Sequence, residues 1–119
     1  MSRDWRLYLA DVVEYADAAT GFAAGLTREQ LEADRRTWFA VLRALEVMGE
    51  AVKHVPPPVR DRAPHVPWRL VAGFRDRLAH GYWGLDGEVV WLAVTRDVPV
   101  LRSAAATLLA EADAADPPG

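Results

Sequence analysis

The chain has 119 residues, a net charge of −3 and no cysteine. This length predicts one domain with room for a hydrophobic core, and the lack of cysteine excludes disulfides and thiolate metal sites. A polar N-terminus and the lack of a long apolar run argue against a signal segment or a membrane span, which predicts a cytoplasmic protein. We expect the domain to cover residues 1–115, with a frayed tail at 116–119.

The hydrophobic pattern of the first half predicts three helices. Residues 4–22 carry apolar side chains at steps of three and four, as an amphipathic helix does. Thr27 followed by Gln30 has the pattern of a capping box and starts a short helix at Arg28. A longer helix covers about 34–54. The prolines at 56–58 end it, because proline cannot donate to the helix ladder.

The second half predicts two further helices. Pro67 suits the first turn of a helix over about 68–80, and Gly81 suits its C-cap. The last helix runs from near Glu88 to about 115, with a possible bend at Pro99. The only stretch that competes as a strand is 88–94. The prediction is therefore an all-α protein, an up-and-down bundle of four to five helices.

The most informative pattern is Arg-x4-His-x-Tyr, which begins at Arg75. Arg75 is a permanent cation that can hold a phosphate, His80 can move a proton near neutral pH, and Tyr82 is a phenol that can be modified. Asp76, four residues before His80, and the nearby helix C-terminus both favour a protonated imidazole. The alternative interpretation is a surface ion pair beside a C-cap, with Tyr82 and Trp83 packing the loop.

One helix does not easily bring Arg75 and His80 onto one target. At about 100° per residue, the two positions lie about 140° apart around the helix axis. Either the long arginine reaches across, or a second copy of the chain completes the site. Residues 53–80 hold six basic and two acidic side chains, a net charge of +4 that suits a small anion or one face of an RNA. Arginines that only solvate helix surfaces would give the same charge.

Other ionisable residues indicate less. Glu46 and Glu50 lie four residues apart, but Arg43 and Lys53 flank them at helical spacing, which favours ion pairing over metal binding. The histidines at positions 54 and 65 show no partner at a characteristic spacing. The sequence contains no His-carboxylate metal set and no phosphate-binding glycine loop, so we predict neither a metal nor a cofactor.

Two further stretches add to the pattern. Residues 44–51 (ALEVMGEA) resemble a helix motif, and residues 66–68 (VPW) with 73–75 (GFR) resemble an active-site lead-in, of the HepT-like toxins in the HEPN superfamily. These toxins are small all-α ribonucleases of prokaryotic toxin–antitoxin pairs, and the resemblance covers roughly residues 5–105. The three motif residues match that family's Arg-x4-His-x-Tyr motif one for one. At Asp76 the chain departs from the asparagine that is common in the family.

The resemblance implies a metal-independent endoribonuclease, the toxin of a type VII toxin–antitoxin pair, that acts as a homodimer with its two motifs facing each other. His80 would be the acid and base of cleavage through the RNA 2′-hydroxyl, and Arg75 would clamp the phosphate and its transition state. Asp76 would orient His80, and Arg77 would be a supporting contact. Tyr82 would be the residue to which a cognate nucleotidyltransferase antitoxin (MNT type) attaches AMP.

Two other classes of function stay open at this point. One is a non-catalytic helical dimer that binds and regulates a nucleotidyltransferase, and the other is a structural helical dimer without a substrate. The intact pair of Arg75 and His80 favours the enzyme, because a scaffold would not need it.

Overall fold

The computed structural model describes residues 3–79 and 86–115, and these residues form helices and the turns between them, with no strand. The helices are α1 (Trp5–Ala23), α2 (Arg28–Ala33), α3 (Arg35–Lys53), α4 (Pro57–Arg60), α5 (Trp68–Ala79), α6 (Gly87–Leu92) and α7 (Val98–Ala115). The prediction of an all-α helical bundle is confirmed. The tail expected at residues 116–119 lies outside the described residues.

Short polar side chains start the helices where the sequence predicts them. The capping box is present: the Gln30 N–H donates to Thr27 Oγ1 (3.2 Å), and the Thr27 N–H donates to Gln30 Oε1 (2.9 Å). Asp34 starts α3 by accepting a hydrogen bond from the Thr37 N–H (3.2 Å). That bond holds the pKa of the Asp34 carboxyl below its ordinary value. Gly25 turns the chain between α1 and α2 at a φ of 77°, which glycine adopts without steric cost.

Helix α3 lies at the centre of the packing. It packs against α1 and against α5, and α1 in turn packs against α7, so the helices follow the order α5, α3, α1, α7. The core between them is mainly aliphatic, with Phe74 and Trp68 as buried aromatic residues. Its fully or almost fully buried members include Leu9, Val12, Leu42, Leu45, Met48, Phe74 and Leu101. Within residues 3–79 and 86–115, no helix is long and apolar enough to cross a membrane.

The last helical stretch is interrupted just before the position where the sequence predicts a bend. A π-helical turn, Ala93–Asp97, joins α6 to α7, and the Val98 N–H donates to the carbonyl of Ala93 five residues earlier. Pro99 follows in the first turn of α7, where it has no N–H to donate and its ring crowds the carbonyl four residues before it. The wider turn thus falls where a regular α-helix is hardest to continue. The strand alternative for 88–94 is wrong, because this stretch is helical.

The connection between α3 and α5 fixes where α5 begins. The prolines end α3 as predicted, and α4 starts at Pro57 with Pro56 as its N-cap. The indole N–H of the buried Trp68 then donates to the carbonyl of Ala63 (3.0 Å). This bond joins Trp68, the first residue of α5, to the turn before it, and so helps to fix where α5 begins.

Helices α3 and α5 are in close backbone contact at Gly49. A Cβ atom placed on Gly49 would lie 2.7 Å from the carbonyl oxygen of Val71, 2.9 Å from the backbone nitrogen of Arg75 and 3.0 Å from the Arg75 Cβ. Real Cβ atoms are not found that close to backbone atoms. The missing side chain therefore lets the backbone of α5 rest directly on α3 at the first residue of the predicted motif.

We expect Gly49→Ala to lower the free energy of unfolding by about 1–3 kcal/mol, because the added methyl group would push α5 away from α3. Urea unfolding followed by circular dichroism measures the effect. Gly21→Ala is the matched control, since a Cβ on Gly21 in α1 meets nothing within 4 Å. The control should be stabilised by about 0.5–1 kcal/mol through helix propensity. A Gly49→Ala protein as stable as the control would contradict the close contact.

Candidate functional site

Helix α5 carries the described part of the predicted motif. Arg75, Asp76 and Arg77 lie in its last turns, whereas His80 and Tyr82 lie outside the described residues. Asp76 and Arg77 are exposed, and Arg75 is partly buried. Among the described motif residues, Arg75 is therefore the one that is packed most closely against the rest of the protein.

The guanidinium of Arg75 is bonded to Glu50, the residue that follows the close contact at Gly49. The Arg75 Nε–H donates to Glu50 Oε2 at 3.0 Å, with 39% of the Arg75 side chain exposed. The backbone contact sets the Arg75 Cα position, and the carboxylate then sets the direction of the side chain. Since a guanidinium has five N–H donors, the bond through Nε leaves the Nη donors available to an oxyanion.

The second oxygen of Glu50 connects the arginine to an aromatic pair. His54 Nε2 lies 3.2 Å from Glu50 Oε1, and the imidazole stacks on the Tyr8 ring with centroids 4.5 Å apart and planes 13° apart. The guanidinium carbon of Arg3 lies 4.7 Å from the centroid of the same tyrosine ring. One carboxylate on α3 therefore links a motif residue of α5 to a tyrosine of α1.

Asp76 of α5 is bonded to Lys53, which lies one turn after Glu50 on α3. Its Oδ1 accepts a hydrogen bond from the Lys53 ammonium at 2.6 Å. Lys53 thus offsets the negative charge that Asp76 adds next to the proposed phosphate clamp. The expected contact between Asp76 and His80 involves a residue outside the described range and stays a prediction.

The structure corrects two expectations about the ionisable residues of α3. Arg43 pairs with Glu46 at 3.3 Å, as predicted, but Lys53 bonds to α5 rather than pairing with Glu50. The expectation that His54 has no partner is wrong, because Glu50 lies four residues before it on the same helix face. That spacing was visible in the sequence. Among the described residues, no group of three or more His, Asp or Glu side chains is placed to hold a metal ion.

Comparison with known proteins gives a consistent result. The profile of the family described as Ribonuclease HepT-like matches residues 12–108. A probable ribonuclease HepT of Thermococcus cleftensis is 39% identical over 102 residues, which cover 86% of this chain and 93% of that protein. A putative RNase of Methanocaldococcus jannaschii is 37% identical over 100 residues, covering 84% of this chain and 83% of the relative.

A putative RNase of Caldanaerobacter subterraneus is 32% identical over 97 residues, covering 82% of this chain and 87% of the relative. No solved structure matches the chain. The family profile and these relatives each span most of the chain. The chain therefore belongs to the HepT-like ribonuclease family, as the resemblance in its sequence predicts.

The Glu50–Arg75 pair should orient the arginine without adding much stability. Both side chains are partly exposed, 49% for Glu50 and 39% for Arg75, and exposed pairs contribute less than about 1 kcal/mol. A double-mutant cycle with Glu50→Gln, Arg75→Gln and the double variant, followed by urea unfolding, measures the coupling. A coupling energy above about 2 kcal/mol would mean that the pair is a structural element of the core instead.

Proposed function

We propose that this member of the HepT-like ribonuclease family is the toxin of a type VII toxin–antitoxin pair, a metal-independent endoribonuclease that acts on RNA in the cytoplasm. The proposal rests above all on the placement of Arg75. A guanidinium oriented by Glu50, with its Nη donors free of that bond, is suited to hold a phosphodiester. The names of the relatives, which describe those proteins as ribonucleases, agree with this role.

Cleavage through the RNA 2′-hydroxyl requires a base for that hydroxyl, an acid for the leaving 5′-oxygen, and stabilisation of charge at the phosphate. The 2′-oxygen attacks phosphorus, the bond to the 5′-oxygen breaks, and the products carry a 2′,3′-cyclic phosphate and a 5′-hydroxyl. We assign proton transfer to His80 and charge stabilisation to Arg75. Asp76 would orient His80, and Arg77 would support binding. A metal ion has no required part in this chemistry.

A homodimer would supply the second proton-transfer group. One chain offers one motif histidine, while a two-fold axis near α5 would place two copies of His80 and Arg75 in one cleft. The outer face of α5 supports such a contact. Its extensive packing is with α3 alone among the described helices, Leu70 is 39% exposed, and a Cβ on Gly73 would meet nothing. A second α5 could therefore approach closely there.

Arg75→Ala and His80→Ala should each reduce RNA cleavage by roughly a hundredfold or more, since each removes a preorganised charge or a proton-transfer group. Cleavage of a labelled single-stranded RNA in the presence of EDTA measures the rate, and mass spectrometry identifies the cyclic phosphate. Arg102→Ala is the control, an exposed arginine of α7, which packs against α1, and should retain activity. Full activity of His80→Ala, or loss of wild-type activity in EDTA, would contradict the mechanism.

Mixing the wild type with an excess of the Arg75→Ala/His80→Ala double variant tests the dimer in the same assay. A mixed dimer holds only one His80 and one Arg75, so the wild-type protein should lose activity as its chains enter mixed dimers. An active wild-type protein that sediments as a monomer would contradict a shared cleft. A protein that cleaves no RNA but binds a nucleotidyltransferase would instead support the non-catalytic dimer.

Regulation is the second part of the proposal: a partner nucleotidyltransferase attaches AMP to Tyr82. This residue lies two positions after His80, next to Gly81, where the predicted helix ends. The attached phosphate would bring negative charge to the neighbourhood of Arg75 and compete with the substrate phosphate.

Tyr82→Phe should keep ribonuclease activity and escape inactivation by the partner, because the phenol that accepts AMP is missing. Incubation with the nucleotidyltransferase and ATP, followed by intact-mass and peptide mass spectrometry and the cleavage assay, tests this. Tyr15→Phe, on α1, is the control that should remain sensitive. An AMP adduct on another residue, or inactivation of Tyr82→Phe, would exclude Tyr82 as the switch.

A further inference from the structure

A pocket of about 410 Å³ lies along α3, between α1 and the Arg75 position of α5. Its size falls in the range of roughly 300–1,000 Å³ typical of small-ligand sites. Arg75 is part of its wall, so the pocket adjoins the proposed phosphate position. A ligand group bound in the pocket would therefore lie next to the phosphate that we propose Arg75 binds.

The charges of the pocket are balanced in pairs. Three arginines and three carboxylates line it, and each arginine is bonded to one carboxylate. The pairs are Arg3–Asp11, Arg43–Glu46 and Arg75–Glu50. A phosphate inside the pocket would meet as many anions as cations, and a purely apolar ligand would have to desolvate six charged groups. An uncharged group with donors and acceptors on its edge matches this lining better.

An aromatic surface lies on the same side. Tyr8 lines the pocket and stacks on His54, which adjoins it through its contact with Glu50. One face of the imidazole is covered by Tyr8, yet 45% of the His54 side chain is exposed. The open part of the ring is therefore available for stacking. Proteins bind single-stranded RNA by stacking unpaired bases on aromatic and histidine rings and bonding their edges.

We propose that this pocket and the Tyr8–His54 stack form a nucleobase subsite for the RNA nucleotide next to the phosphate held by Arg75. The base stacks on the open face of the His54 imidazole, and its edge faces the Glu50–Arg75 pair, which lines the pocket. A base is flat, as stacking on an imidazole requires. It is also uncharged and carries hydrogen-bond donors and acceptors on its edge, as the paired charges of the pocket favour. The inference rests on the proposed function, because it takes RNA as the substrate and Arg75 as the phosphate clamp.

Two substitutions at His54 separate stacking from an indirect effect through Glu50. His54→Ala removes both the ring and the hydrogen bond, whereas His54→Phe keeps a flat ring and removes only the hydrogen bond. We measure kcat and KM for cleavage of a single-stranded RNA. Loss of one base–aromatic stack weakens binding by roughly fivefold or more, so His54→Ala should raise KM by about that factor with kcat unchanged. His54→Phe should have a KM near that of the wild type, and so should the control His65→Ala.

An unchanged KM in His54→Ala would overturn the proposal. So would an equal loss of kcat in both His54 variants, because that would show His54 acting only by positioning Glu50 and Arg75. Fluorescence anisotropy with labelled RNA, on the same variants in a His80→Ala background, provides a readout that does not need cleavage. If the wild type fails to cleave RNA, the proposed function fails. The anisotropy comparison then still decides whether this pocket binds a base.

Discussion

The close contact of α3 and α5 at Gly49 is the constraint on which the arrangement of the site depends. Side chains normally hold two helices about 8–10 Å apart, and a glycine at the crossing allows a closer approach. Here the approach brings the Arg75 backbone to a position where a Cβ on Gly49 would be 2.9 Å from its nitrogen. The arginine is therefore positioned by backbone packing before any charge interaction acts on its side chain.

Charged and polar side chains at the C-terminal end of α3 then orient the side chains around Arg75. Glu50 directs the guanidinium of Arg75, Lys53 offsets Asp76, and His54 joins the carboxylate to the aromatic ring of Tyr8. The side chains of both salt bridges are partly exposed, and such pairs contribute little to stability because water screens them and ordering the side chains costs entropy. Their effect is on the direction of the side chains, which matters for Arg75 if, as we propose, it binds a phosphate at hydrogen-bond distance.

The sequence predicts those features that depend on neighbours along the chain. The capping box at Thr27, the end of α3 at the prolines and the Arg43–Glu46 pair all follow from local spacing, and all are present. The partners of Glu50 and Lys53 on α5 were not predictable in the same way. They depend on how two helices separated by a proline-rich connection cross, and no spacing rule along one helix contains that information. The assignments of His80 and Tyr82 rest on the motif and stay predictions.

Pairing each pocket arginine with a carboxylate has a consequence for selectivity. A groove of unpaired arginines would attract any nucleic acid through its phosphates, and such binding carries no sequence information. In this chain a phosphate that approaches Arg75 meets a guanidinium whose charge Glu50 partly offsets, on a protein with a net charge of −3. We therefore expect nonspecific attraction to be weak, so that the proposed RNA substrate would gain affinity from contacts other than charge. In the base subsite that we propose, stacking on His54 and hydrogen bonds at the base edge would supply that affinity.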